Sequence, residues 1–184
     1  QIGVNKFLVS LDEGSDFSEY CDYLVDIIPS FDLQRNPNVF DSSFIQLPKN
    51  IKNKNEKSKS IDSIKKILIC FGGEDPSGFT IPTVNVIEKV FPAAKIVAII
   101  SNKQTNSVEN VSAKNVEFVK PIQNLREKLF EYDLVITHYG LTAFEAAYAG
   151  CGVILLPTTK LHKNLAKKYN LTINTWKEGA KEYV

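Results

Sequence analysis

The 184-residue sequence has no methionine, one tryptophan, two histidines and three cysteines, and its 22 basic side chains nearly cancel its 21 acidic ones. Each scarcity excludes something. A net charge of +1 gives no electrostatic case for nucleic acid or an anionic membrane as partner, since both are held by a surplus of basic groups. Cys21, Cys70 and Cys151 form no even disulfide set, and two of them adjoin apolar strand-like runs, so they read as reduced cytosolic thiols. No His, Cys and Asp cluster has metal-ligand spacing, so neither a metal nor another cofactor is expected. No apolar run approaches membrane-spanning length, and the opening QIGVNKFLVSLDEG lacks the charged start and long apolar core of a signal peptide. A cytoplasmic globular protein with no integral membrane segment is the expectation. The missing initiator methionine adds the expectation of a chain cut or processed from a longer one.

What is present is 43% hydrophobic, enough for one full domain with residues to spare. The charge is uneven: residues 1–48 hold eight acids and two bases, a balance of −6, which leaves +7 for the rest. KFLVSLDEG and CDYLVDIIPS each read as an apolar strand ending in turn residues, and two strands cannot enclose a core. KNIKNKNEKSKS, rich in Lys, Asn and Ser, reads as a solvated linker. The expected organisation is an N-terminal piece over 1–48, a linker over 49–61 and a main domain over 62–184.

From residue 62 strands alternate with helix-length segments, the pattern of a parallel α/β sheet. The spacing predicts strands at 65–71, 94–100, 115–119, 133–138 and 152–157, with helices near 79–90, 122–131, 141–149 and 161–169. The connection 101–114 holds at most a short, weak helix. The strands are nearly continuous apolar runs, as in sheets covered on both faces. The expected fold is thus a Rossmann-like α/β sheet of about five strands with helices on both faces. Right-handed crossovers place the first strand centrally, with the second and third to one side and the fourth to the other. The loops after the first and fourth strands then face each other at the switch point, where ligands bind in such sheets.

The first loop, FGGEDPSGFT, offers Gly72 and Gly73 directly after a strand and leads into a helix whose N–H groups suit an anion. Turn chemistry alone also accounts for a glycine pair. The second loop, THYGLTAFE, repeats the strand, glycine and helix order, so a pyrophosphate between two helix N-termini is the expected ligand geometry. Glu145 has two readings. TAFE (Thr142 to Glu145) fits a capping box, whereas beside a phosphate site a carboxylate suits the hydroxyls of a ribose. His138, ending the fourth strand, is the sole catalytic candidate; it reads as touching a phosphate, as acting as a base, or as a loop histidine with neither role. His162 and the neighbouring lysines read as a solvated face beside the apolar stripe Leu161, Leu165 and Tyr169.

FGGEDPSGFT, DLVITHYGLTAFEAAYAGCGVILLP and, more faintly, NLAKKYN resemble the C-terminal half of GT-B-type glycosyltransferases. The nearest likeness is to the UDP-sugar hydrolase of pseudaminic acid synthesis and its spore-coat polysaccharide biosynthesis relatives. The resemblance implies a UDP or UDP-sugar partner, with Glu145 on the ribose hydroxyls and Gly140, Leu141 and Thr142 offering backbone N–H groups to the phosphates. It implies that the backbone around Val119 and Lys120 meets the uracil, and that His138, Tyr139 and Asn164 complete the nucleotide site. Residues 1–48 resemble the tail of the family's N-terminal domain, whose remainder supplies the general base and is the natural partner, so this chain by itself is expected to be inactive. Two departures stand out: Glu74 replaces a small or hydroxyl residue, and Leu161 replaces a glutamine that contacts the donor sugar. They keep open a non-catalytic nucleotide-binding or scaffolding module beside the hydrolase or glycosyltransferase of cell-surface polysaccharide or nonulosonic acid biosynthesis. A dinucleotide-binding domain is disfavoured because GGEDPSG lacks G-x-G-x-x-G spacing.

Overall fold

The computed structural model describes residues 7–13, 16–28, 36–41, 43, 45–52, 63–73, 75, 77–101, 114–158 and 160–168, the side chains of Leu161 and Lys168 excepted. The helix expected within 101–114, the departure at Glu74 and the stripe residue Tyr169 fall outside them. The chain divides into two units, Gln1–Gln46 and Leu47–Val184.

In the first unit β1 (Val9–Leu11), β2 (Tyr23–Asp26) and β3 (Val39–Phe40) form a parallel sheet in that order. Val9 pairs with Tyr23 and Val25 with Val39. Polar side chains bind the strand ends: Asp12 accepts from the N–H groups of Ile27 and Ile28 at 2.7 and 3.2 Å, and Asp22 from that of Leu8 at 2.7 Å. Asn38 does the same for Leu24 at 2.7 Å. Among the described residues here only Leu24 is a buried hydrophobic side chain, while Phe7 is 70% and Leu11 62% exposed. β3 is only two residues long.

The second unit holds β4 (Lys66–Cys70), α1 (Thr80–Val90), β5 (Lys95–Ile99), β6 (Val116–Val119), a 3₁₀ helix (Leu125–Glu131), β7 (Leu134–Thr137), α2 (Leu141–Tyr148), β8 (Gly152–Leu155) and α3 (Lys160–Lys168). The sheet is parallel throughout and runs β6-β5-β4-β7-β8, as the crossover rule predicts. Alternation along β4 explains why Ile67 to Cys70 are all apolar: Ile67 and Ile69 pack with Val84 of α1, while Leu68 and Cys70 pack with Leu129 of the 3₁₀ helix and Ala146 of α2. Each fully buried aliphatic side chain contributes about 1.5–3 kcal/mol. The segment expected at 122–131 is a 3₁₀ helix, entered through Asn124 with φ +53° and following Pro121.

Cys70 and Cys151 are buried in these layers, and Cys151 Sγ donates to the Leu129 carbonyl at 3.0 Å. Burial pushes the Cys151 thiol up to about 11. Residues 49–52, which composition assigned to a linker, run against the second unit. Lys49 N–H donates to Glu127, Lys52 N–H to the Ala149 carbonyl, and Lys52 Nζ to Asp133 at 2.8 Å. Asp133 also accepts from the N–H groups of Lys65 and Lys66, which fixes the start of β4 beside that of β7.

Candidate functional site

The crevice at the C-terminal ends of β4 and β7 is formed by two strand–glycine–helix entrances of different construction. At the α1 entrance the chain turns at Gly72, with φ +78°, and at Asp75, with φ +40°. The Asp75 side chain folds over the helix start and accepts from Phe79 N–H at 3.0 Å and Thr80 N–H at 2.8 Å. Pro82 has no N–H, and Thr83 N–H already bonds to the Phe79 carbonyl. The N–H groups expected to hold a phosphate are thus largely taken by a buried carboxylate of the chain itself. Gly73 is exposed, and a Cβ there would meet nothing within 4 Å.

The α2 entrance is open. Its N-cap is Gly140, which has no side chain to cap with. Ala143 N–H turns back to the Gly140 carbonyl at 3.0 Å, while the N–H groups of Leu141 and Thr142 have no acceptor among the described residues. Thr142 therefore stands inside the helix and Glu145 in its second turn, so the capping box does not form. The helix begins two residues earlier than that pattern requires, its N-cap being Gly140 rather than Thr142.

His138 joins the two loops. A Cβ on Gly72 would lie 3.4 Å from its Nε2, and one on Gly140 would lie 3.2 Å from its Cε1. Both glycines leave room for this ring. His138 Nδ1 lies 2.8 Å from the Tyr139 carbonyl. A carbonyl only accepts, so Nδ1 carries the hydrogen, and in the neutral ring Nε2 is an acceptor turned toward the first loop. Tyr139 is buried edge-to-face against Phe144 at 5.6 Å. His162, from α3, stacks on His138 with centroids 5.7 Å apart and planes 8° from parallel, and Thr158 Oγ1 lies 2.9 Å from its Nδ1.

Glu145 is half-buried and forms no side-chain hydrogen bond with a described residue. Burial raises its carboxyl above the usual range, the charge of Arg126 lowers it and that of Glu127 raises it again. Both neighbours belong to the 3₁₀ helix that follows β6, which places Glu145 on the β6 side of the α2 entrance. Val119, at the end of β6, gives its carbonyl to Ile100 N–H at 2.9 Å, and Lys120 is exposed. Asn164 is exposed on α3. Asp75, Arg126 and the His162 stack were missed from the sequence. Asp75 had one visible signal, an acidic residue four and five positions ahead of a helix start.

An open depression of about 430 Å³ between Lys95 and Glu117 lies at the opposite, N-terminal ends of β5 and β6, and the Lys95–Glu117 ion pair at 2.7 Å crosses it. Among the described residues no three metal-binding side chains cluster, and no helix is long and apolar enough to cross a membrane.

No family model matches the sequence. An uncharacterized protein of Methanocaldococcus jannaschii is 28% identical over 201 residues, covering 95% of this chain and 41% of its own. Among solved structures, MurG of Acinetobacter baumannii superposes with a TM-score of 0.57 at 15% identity, over 86% of this chain and 48% of that one. The glycotransferase of kitacinnamycin gives 0.54 at 15%, over 89% and 44%. The rhamnosyltransferase SpnG, solved with thymidine diphosphate, gives 0.52 at 17%, over 83% and 43%. The fold is that of the C-terminal half of a GT-B glycosyltransferase. The chain spans less than half the length of each of these relatives.

Proposed function

We propose that the second unit is the nucleotide-binding half of an enzyme acting on a nucleotide-sugar, with UDP as the nucleotide. The observation that carries this is the open α2 entrance, where uncapped N–H groups, the His138 ring between two glycines and a half-buried Glu145 with no hydrogen-bond partner among the described residues come together. The N–H groups of Leu141 and Thr142 hold the diphosphate at the positive end of α2. Glu145 accepts from the ribose hydroxyls, and the base lies toward Val119 and Lys120 at the end of β6. From β7 to β6 is three strand spacings, roughly 14 Å, a reach that an extended nucleoside diphosphate spans. Gly72 and Gly73 border the diphosphate as backbone neighbours, with Tyr139 supporting the turn and Asn164 facing the donor sugar.

In the whole enzyme the partner domain delivers an activated water or a sugar hydroxyl to the anomeric carbon, and UDP departs. The product is a hydrolysed or transferred sugar for nonulosonic acid or cell-surface polysaccharide synthesis. Residues 1–48 are then the tail of that partner domain, and their exposed apolar side chains are what it covers. General acid–base work needs a group within hydrogen-bond reach of the reacting proton, so these 184 residues by themselves bind nucleotide without turning over a sugar.

A second reading, a non-catalytic nucleotide-binding module, is favoured by Asp75, which closes one of the two entrances. Isothermal titration of the chain with UDP, CMP and ADP tests the proposal. Saturable binding of UDP with weaker binding of the others is expected, and absence of binding to all three would overturn it. Activity of the full-length protein on a UDP-sugar then separates the enzyme from the module.

A further inference from the structure

Composition assigns residues 49–61 to a linker, yet residues 49–52 are bound to the second unit at both ends. Lys49 N–H donates to Glu127 Oε2 at 3.0 Å, and Asn50 Nδ2 lies 3.4 Å from the Glu127 carbonyl, which fastens the start of the stretch to the 3₁₀ helix. Lys52 N–H donates to the Ala149 carbonyl at 2.9 Å, which fastens its end to the C-terminus of α2. Lys52 Nζ adds the 2.8 Å ion pair with Asp133, whose two side chains are 19% and 11% exposed. Gly150 makes this second attachment possible. Its φ is +86°, a conformation that suits glycine, and a Cβ there would crowd Lys52 Cβ at 3.1 Å.

The stretch therefore ties together the two helices on which the surroundings of Glu145 depend. Leu129 of the 3₁₀ helix shares a buried cluster with Ala146 and Ala149 at the end of α2. The Glu145 carbonyl accepts from Ala149 N–H at 2.9 Å, so its backbone is one turn from the Lys52 bond. Arg126 Nε lies 3.4 Å from Glu127 Oε1 while Glu127 Oε2 holds Lys49, and both of these 3₁₀-helix side chains act on the Glu145 carboxyl. α2 has only eight residues, about 12 Å of helix, and a helix so short does not keep its place by its own hydrogen bonds. What grips its far end bears on the entrance at its start.

We propose that residues 49–52 are a strap that fixes α2 against the 3₁₀ helix, with Glu127 as the positioning residue through which the strap sets where Glu145 stands at the entrance. The ligand-binding part of the chain then starts at Lys49, well ahead of β4. By linkage, a ligand that orders the entrance also tightens the strap. For its ligand the inference rests on the nucleotide reading of the α2 entrance; for the strap it rests on the contacts at Glu127, Ala149 and Gly150.

The test uses the whole chain and two readouts, amide hydrogen exchange followed by NMR and titration with UDP and its 2′-deoxy form. Glu127→Ala removes the acceptor of Lys49, whereas Glu127→Gln keeps an oxygen for it. Both lose the charge, and only the first loses the attachment. In ligand-free protein Glu127→Ala should speed exchange of the Lys52 amide and of the last turn of α2, and Glu127→Gln should exchange as the parent does. UDP should slow the Lys52 amide in the parent. Glu127→Ala should bind UDP severalfold more weakly and lose its preference over the 2′-deoxy form, and Glu127→Gln should restore both. Parent-like exchange in Glu127→Ala would overturn the inference, as would UDP binding that leaves the Lys52 amide unslowed. Equal losses in Glu127→Gln would also overturn it, since they would trace to the charge beside Glu145 and not to the strap. Faster exchange in Glu127→Ala, restored in Glu127→Gln, with no binding of UDP by the parent would sustain the strap and sink the nucleotide reading.

Discussion

The α1 and α2 entrances look alike as sequence, each a buried strand, a glycine and a helix, yet only one is open to a ligand. At α1 the chain folds its own carboxylate over the first N–H groups, Asp75 taking those of Phe79 and Thr80. At α2 the N-cap is a glycine, and the N–H groups of Leu141 and Thr142 have no acceptor among the described residues. The comparison teaches that a glycine-bearing helix entrance becomes an anion site only when nothing in the chain has already answered its dipole.

The largest way to break the comparison is to open the closed entrance. Asp75→Ala removes two charge-assisted hydrogen bonds from a buried helix start and should cost about 3 kcal/mol of stability, read as a fall in the urea midpoint. If the midpoint holds, the Asp75 cap is not what completes α1, and the two entrances are equivalent after all.

Next in size is the carboxylate of the open entrance. Glu145→Gln should weaken UDP binding by roughly 1 to 3 kcal/mol, since a diol acceptor loses the charge-assisted part of two hydrogen bonds, and should discriminate less between UDP and its 2′-deoxy form. Stability should move the other way. Burial raises the folded-state pKa of Glu145 above its ordinary value, so the favourable contribution is that of the protonated form and is lost as pH rises through the raised value. Parent and variant should therefore melt together in acid, and the glutamine form should melt slightly higher at neutral pH. A lower melting temperature for Glu145→Gln at neutral pH would mean that the charge supports the fold, and the ribose assignment would lose its physical basis.

The smallest effect separates the paired glycines of the first loop. Gly72 has φ +78°, where a side chain costs about 1–2 kcal/mol, and a Cβ there would come into ordinary contact with His138. Gly72→Ala should lower both stability and UDP affinity. Gly73→Ala meets nothing within 4 Å and should change stability by no more than about 0.5 kcal/mol. A loss of UDP affinity in Gly73→Ala at unchanged stability would put the ligand against that glycine and reopen the first loop as a phosphate site.

The sheet was legible because its strands are apolar on both faces: Ile67, Leu68, Ile69 and Cys70 leave no polar position to misread, and helix-length segments between such runs admit few topologies. β3 was not legible, since two residues carry no period. The open entrance was legible as Gly140 followed by a helix, and the expected start at 141 is where α2 begins; what failed was the capping-box reading of its first turn. Thr142 and Glu145 satisfy the capping-box pattern, while the N-cap is Gly140, two residues earlier. Asp75 and His162 were missed. The spacing of Asp75 to the helix start was visible, but its partners lie across a turn made by Gly78; His162 meets His138 from a different element, α3, and that contact leaves no local spacing to read.

The state of the cysteines makes the protein easy to label. With its thiol pushed to about 11 by burial, Cys151 is ionised to only about one part in ten thousand at neutral pH. Burial raises Cys70 too. Thiolate is the form that reacts, which leaves the partly exposed Cys21 as the group a maleimide dye would reach. A single fluorophore or spin label can thus be carried by the first unit without mutation, while the second unit, with its crevice intact, is titrated with nucleotide in the same sample.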